Sequence, residues 1–308
     1  MIKISGFTDE VSSDLNCQIE LLTELKQRFM CPRTIDGKNI ADYTPDEFKA
    51  KILPKINAKG IKFSSIGSPI GKIKLYDDKA YDAQLQKLKN LVEIAKMVGC
   101  KYIRTFSFFV DKKGDYNVYF PKVVEKIKGF LKVVEGTNIV LLHENEKKIY
   151  GDTPERAIQL CKAVNSEQYK LCFDASNYIQ CGCNPWHAYR ATKPYTAYYH
   201  MKDCIDGVEV PLGLGQGRIE KIVIDLVASG YDGFLTIEPH TFRYAVMKLP
   251  FYLCPPLAMS VKNSLKVFRQ IDQKMKIKMF EKVNRKQVYV WQYENMKKLL
   301  DKAGVVNE

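Results

Sequence analysis

Eight short apolar runs, each followed by a polar stretch of helical pattern, constrain this chain more than any other feature. They lie at 2–7, 28–33, 61–67, 102–107, 139–144, 170–174, 198–202 and 234–238. The runs are rich in β-branched and aromatic residues and lack strict period-2 alternation, as expected of parallel strands covered on both faces. Between them, residues 14–26 set Leu15, Ile19, Leu22 and Leu25 on one helical face. Residues 79–99 do the same with Leu85, Leu88, Leu91, Val92, Ala95 and Val98, and Gly99 stands at a helix-stop position. Thr44-Pro45 and Thr153-Pro154 read as N-caps with proline at the first helical position, and Gly230 ends a helix ahead of the last run.

Eight βα units in succession predict an α/β fold of the (β/α)8 TIM-barrel type rather than an open doubly wound sheet. A dinucleotide-binding sheet would carry GxGxxG after its first strand, whereas Gly6 is followed by FTDE. The GLGQGRI segment at 213–219 follows the seventh run and is read as a loop at the barrel mouth. The barrel is expected to occupy residues 1–274, with residues 275–308 as a basic C-terminal extension. Met296, Leu299, Leu300 and Ala303 share one helical face there, with Gly304 as a stop. That helix packs either on its own barrel or on a second subunit, which would make the protein a homo-oligomer.

With 46% hydrophobic residues among 308, the chain can bury a large core. No stretch reaches the roughly 18 apolar residues of a membrane span, and MIKISGFTDE lacks the apolar segment of a secretory signal. No membrane partner is expected. The nine cysteines are odd in number and irregularly spaced, and Cys172 and Cys161 sit inside apolar runs. Free thiols and a reducing, cytoplasmic location follow. The net charge of +13 suggests nucleic acid, but residues 261–308 carry 12 Lys/Arg against 5 Asp/Glu. More than half of the surplus is therefore a solvated, partly helical tail, and no nucleic-acid partner is expected.

In such a barrel the C-terminal strand ends open onto the active site. Four successive runs end in polar residues: IVLLHE in Glu144, LCFD in Asp174, YYHMKD around His200 and FLTIEPH around Glu238. Strands five to eight are neighbours, so these side chains can converge. Three carboxylates gathered without a cation would raise one another's pKa. With one imidazole they suit a single divalent ion such as Mn²⁺, Mg²⁺, Co²⁺ or Zn²⁺. Around them, Arg104 ends the fourth run and points into the barrel or toward its mouth, and His240 can face the same side as Glu238. Glu146 is a loop acid, and His143 must point away from Glu144. His187 in PWHAYR is read as structural. Phe7, Phe108 and Trp186 are candidates for an apolar wall, although aromatics at such places are commonly core.

The segments HENEKKIYGDTPE, FDASNYIQCG, YYHMKD, GLGQGRI and GYDGFLTIEPH resemble the xylose isomerase-like barrel superfamily of sugar isomerases, sugar-phosphate isomerases and epimerases. GFTDEV and SSIGSPIGKI resemble one bacterial subgroup, and the resemblance covers roughly residues 1–270. It implies that Glu144, Asp174, His200 and Glu238 bind one metal and that Glu144 and Glu238 are the acid/base pair. The family often has a substrate-touching histidine three positions after the aspartate. Asn177 stands there, as a hydrogen-bonding candidate. Lys202 and Arg218 match positions near the substrate.

The expected activity is a metal-dependent isomerisation or epimerisation of a sugar or sugar phosphate through an enediolate. A lyase or deglycosylating enzyme eliminating a group β to a carbonyl shares the first proton abstraction and stays open as an alternative. An apurinic-site endonuclease of the same superfamily needs a trinuclear zinc cluster rich in histidine, and this chain has four histidines in all. Phosphate recognition would need two converging cations, for which Lys72, Arg104, Lys202 and Arg218 are the candidates.

Overall fold

The structure is a computed structural model that describes residues 2–240, 242–254 and 264–305. Its strands are β1 (Lys3–Gly6), β2 (Phe29–Met30), β3 in two segments (Lys62–Phe63 and Ile66–Ile70), β4 (Tyr102–Thr105), β5 (Val140–Glu144), β6 (Tyr169–Asp174), β7 (Thr196–Met201) and β8 (Phe234–Ile237). Each of the eight expected runs holds one of them. Seven form a parallel sheet in the order β1-β8-β7-β6-β5-β4-β3, with the second segment of β3 at its edge. β2 pairs in parallel with the first segment of β3.

The gap between the sheet edges is closed by single backbone bonds. Cys31 N–H donates to the Gly6 carbonyl at 2.9 Å, and Gly67 N–H donates to the Pro32 carbonyl at 2.9 Å. β2 is short because Pro32 has no N–H to continue the ladder. The chain is thus a closed (β/α)8 barrel. All five residues of β5 are buried, as parallel strands covered on both faces require.

The outer layer begins with α1 (Leu15–Glu24), α2 (Pro45–Lys51), α3 (Leu53–Ala58), α4 (Asp78–Val98), α5 (Tyr116–Val134) and α6 (Pro154–Val164). The side chains of Thr44 and Thr153 cap α2 and α6 with proline following, and α4 ends on Gly99 at φ 64°. Three further helices are α7 (Ala175–Gln180), α8 (Pro185–Thr192) and α9 (Ile219–Ala228). No helix among the described residues is long and apolar enough to cross a membrane.

After β8 come α10 (Phe242–Leu253), α11 (Ser264–Met275) and α12 (Arg285–Lys302). α10 and α11 share an apolar cluster with the hairpin Asp203–Ile205/Val208–Val210, including Val210, Tyr244, Phe268 and Ile271. α12 starts in a capping box of Asn284 and Gln287, and it packs on its own barrel. Tyr289 is fully buried beside Gly6, where a Cβ would lie 2.0 Å from the tyrosine oxygen. Its hydroxyl meets Gln27 Oε1 at 3.2 Å, and Tyr293 donates to the Leu25 carbonyl at 3.1 Å. Met296 and Leu300 join the core cluster of Ile219, Ile222 and Leu226 from α9. Lys286 and Lys302 pair with Glu24 and Glu220, so part of the basic surplus is tied to the barrel surface. Residues 306–308 of the expected extension lie outside the described residues.

Candidate metal centre

Side chains from β5 to β8 fill the barrel interior in layers. The lower layer holds Leu142, Cys172, Tyr198 and Thr236, all buried. Tyr198 is its polar centre, bonded to Ser64 Oγ at 2.7 Å and to Thr236, with Ser64 bonded on to Ser5 at 2.5 Å. One pleat nearer the C-terminal strand ends, the parallel register places His200 beside Asp174, and Glu144 and Glu238 point into the same space.

Each of the four offers a ligand atom within 4.8 Å of the others, and all four are buried. His200 Nδ1 is 3.1 Å from Glu144 Oε1 and 3.2 Å from Glu238 Oε2. Asp174 divides its work: Oδ1 accepts the Asn177 N–H that opens α7, and Oδ2 is buried without a hydrogen bond. Lys202 Nζ lies 2.9 Å from that oxygen and 3.4 Å from Glu238 Oε2. Three buried carboxylates and one imidazole, with ligand atoms this close together, fit a divalent cation.

The electrostatics divide the three carboxylates: one is raised, and neighbouring cations hold the other two down. Burial pushes the Asp174 carboxyl up to about 6, Lys202 opposes that rise, and Glu238 and Glu144 add to it. Burial also works against ionised Glu144, but His200 and Arg104 beside it win and hold it below the usual carboxylate range. Glu238 is likewise held well below that range, by Lys202 and His240 against burial.

Asn177 is buried at the cluster, its Nδ2 donating to Glu144 Oε1 at 3.1 Å and to the Asn145 carbonyl at 2.8 Å. Asn145 in turn brackets the Asp174 backbone with two 2.9 Å bonds. Arg104 turns into the barrel, with Nη1 3.0 Å from Glu144 Oε2. His240 sits at the rim, 2.7 Å from Glu10 and 3.4 Å from Glu238. Arg218 is not brought to the four. It is exposed at the start of α9 with φ 58°, and no hydrogen bond or ion pair joins it to them.

His143 faces away from the cluster, bonded to Ser107 at 2.9 Å, and burial pushes its pKa down to about 4. Glu146 pairs with Lys72 at 3.1 Å. His187 is exposed on α8. Of the three aromatic candidates, Phe7 meets His200 edge-on at 5.0 Å. Phe108 stacks on Phe130 in the core, and Trp186 stacks on Tyr189 in the outer layer.

Sequence reasoning missed Arg33, Asp9 and Glu10. Arg33, three residues beyond β2, bonds Asp9 at 3.0 Å, Glu10 at 2.9 Å and Glu238 at 3.2 Å. Polar residues at a strand end were the available signal, the same one that marks the quartet. The glycine-rich loop after β7 also has an internal occupant. Gly213, Gly215 and Gly217 donate their N–H groups to the Asp203 carboxylate at 3.1, 2.8 and 2.8 Å.

The fold and site define a (β/α)8 barrel with a buried Glu-Asp-His-Glu cluster at its C-terminal mouth that could hold a metal ion. Residues 19–271 match the family described as xylose isomerase-like TIM barrel. The chain belongs to that family. No curated protein matches the sequence significantly. Among solved structures, an IOLI protein with a binding zinc atom superimposes with TM-score 0.69 at 15% identity, covering 98% of this chain and 99% of that one. An L-ribulose 3-epimerase gives 0.67 at 13% identity, covering 99% and 96%. The probable 3-DHS dehydratase AsbF from Bacillus anthracis gives 0.65 at 17% identity, covering 77% and 93%.

Proposed function

We propose that the protein is a divalent-metal-dependent isomerase or epimerase of a sugar or sugar derivative, with Glu144 and Glu238 as the acid/base pair. One observation carries this reading. Two buried glutamates stand in one cluster with Asp174 and His200, each with a carboxylate oxygen facing the others. Glu144, Asp174, His200 and Glu238 would hold the ion, and as a Lewis acid it would stabilise an enediolate. One glutamate takes the proton from the carbon next to the carbonyl, and the other returns a proton to the opposite face or to the adjacent carbon. Asn177 and Arg104 orient Glu144, and Phe7 shields His200 from water. Lys202, with its ammonium in the cluster, is placed to meet a substrate oxygen, and His240 lies at the rim where a sugar would enter. The names of two structural neighbours, a 3-epimerase and a dehydratase, fit proton abstraction beside a carbonyl. The nine unbridged thiols fit the reducing cytoplasm.

Metal-loaded protein in heavy water, given a panel of free, phosphorylated and oxidised ketoses, is expected to place deuterium at the epimerised carbon of at least one. Loss of a β-substituent together with exchange would move the assignment to a lyase. The absence of exchange with every sugar would sink the reading.

Metal content is a separate test. One divalent ion per chain is expected by elemental analysis. At an ion concentration of 100 times Kd, the folded state should gain about 2.7 kcal/mol, visible as a higher melting temperature that a chelator reverses. Asp174→Asn should remove the gain. A melting temperature indifferent to every divalent ion would count against the centre.

A further inference from the structure

The two glutamates are built alike. Glu144 turns Oε1 to His200 and Asn177 and Oε2 to Arg104. Glu238 turns Oε2 to His200 and Lys202 and Oε1 to Arg33, with His240 Nδ1 3.4 Å from that same Oε1. Each thus keeps one oxygen in the cluster and rests the other on a guanidinium, and Phe7 lies 4.5 Å from Arg33 and 5.3 Å from Arg104.

The guanidinium seats differ. Arg104 is buried, and its Nη2 and Nε donate to the backbone carbonyls of Gly67 and Ser68. The Arg33 side chain is 19% exposed, and its Nε and Nη2 reach Asp9 and Glu10 from the turn after β1. Its seat is shaped by the backbone: a Cβ on Gly67 would lie 2.7 Å from Arg33 Cγ and 2.9 Å from the Phe7 ring. Only a planar fork with several donors can serve Asp9, Glu10 and Glu238 together while lying against an aromatic ring.

We propose that Arg33 is a positioning residue for the reaction, which fixes Glu238 Oε1 and so aims the Glu238 carboxylate at the reacting carbon. This rests on the acid/base role given to Glu238 above. Lysine cannot replace Arg33, because the three carboxylates are met by three different guanidinium nitrogens and an ammonium offers only one. Arg104 does the equivalent for Glu144 from a seat closed to solvent.

The test is chemical rescue. Arg33→Ala is expected to keep KM near its original value and to lower kcat by about 100-fold, the cost of a misplaced reacting group. Millimolar guanidinium should restore a large part of that loss by entering the partly exposed seat, while urea should not. Arg104→Ala, sealed from solvent, should show no rescue. Arg33→Lys should be impaired like Arg33→Ala. A folded Arg33→Ala that guanidinium leaves unchanged would overturn the proposal, as would full turnover in Arg33→Lys. Should Arg33→Ala fail to fold, Arg33→Lys carries the test alone. If the unaltered protein exchanges no proton with any sugar, the functional reading falls first, and that outcome is distinct from a change confined to the Arg33 variants.

Discussion

Glu238→Gln is expected to leave the barrel folded and to lower turnover by about 10²- to 10⁴-fold, the usual contribution of a positioned acid or base. Glutamine has the same volume and can keep a contact with Arg33, so packing around β8 is preserved. What it lacks is a site basic enough to accept a proton from carbon. The same substitution removes one of three carboxylates from the ion site, so weaker metal binding is expected as well. Turnover should therefore be measured at saturating metal, with melting curves as the control for folding. Retained activity under those conditions would remove Glu238 from the mechanism. Glu144→Gln should behave alike. The double variant should cost far less than the product of the two losses, because the pair acts as a unit.

Ending the chain after residue 274 is expected to abolish cooperative folding. α12 contributes Val288, Tyr289, Met296 and Leu300 as buried side chains, with Tyr293 nearly so. At about 1.5–3 kcal/mol for each buried side chain, their loss is on the order of 10 kcal/mol. That equals much of the roughly 5–15 kcal/mol that holds a domain together. The cut also strips the cover from Gly6 in β1 and from the α9 face that holds Ile219, Ile222 and Leu226. Circular dichroism and thermal melting of the shortened chain provide the measurement. A cooperative melt within a few degrees of the full protein would show that α12 is dispensable.

These predictions differ in how far the sequence alone could lead to them. Glu238 was legible because parallel strands all present the same end to the mouth, and an acid ending an apolar run is conspicuous there. The quartet needs only neighbouring strands, one βα repeat apart. Arg33 was harder. It lies 205 residues from Glu238, and only closure of the barrel between β8, β1 and β2 brings the two to 3.2 Å. The direction of Arg104 was undecided because a strand's period says which face a residue takes, not whether a long side chain turns toward the core or the mouth. Arg218 was placed near the substrate by resemblance alone; it is exposed at the start of α9 and makes no hydrogen bond or ion pair with the quartet.

α12 was legible as a helix but not as a core element. Its buried face is built from Tyr289, Gln292 and Tyr293 as well as Met296 and Leu300. Tyrosine and glutamine lower the apolar contrast that marks an amphipathic helix, since their polar tips read as surface. Here those tips end on specific partners, Gln27, the Leu25 carbonyl and the Leu212 N–H. Local pattern, strand ends and helix stops are properties of residues near in sequence, and from them the sequence determined the eight βα units and the four candidate site residues that cluster on adjacent strands. Which long side chains meet across the closed barrel, and what covers its outer face, was decided by tertiary structure. Those contacts depend on distances that chain order does not encode.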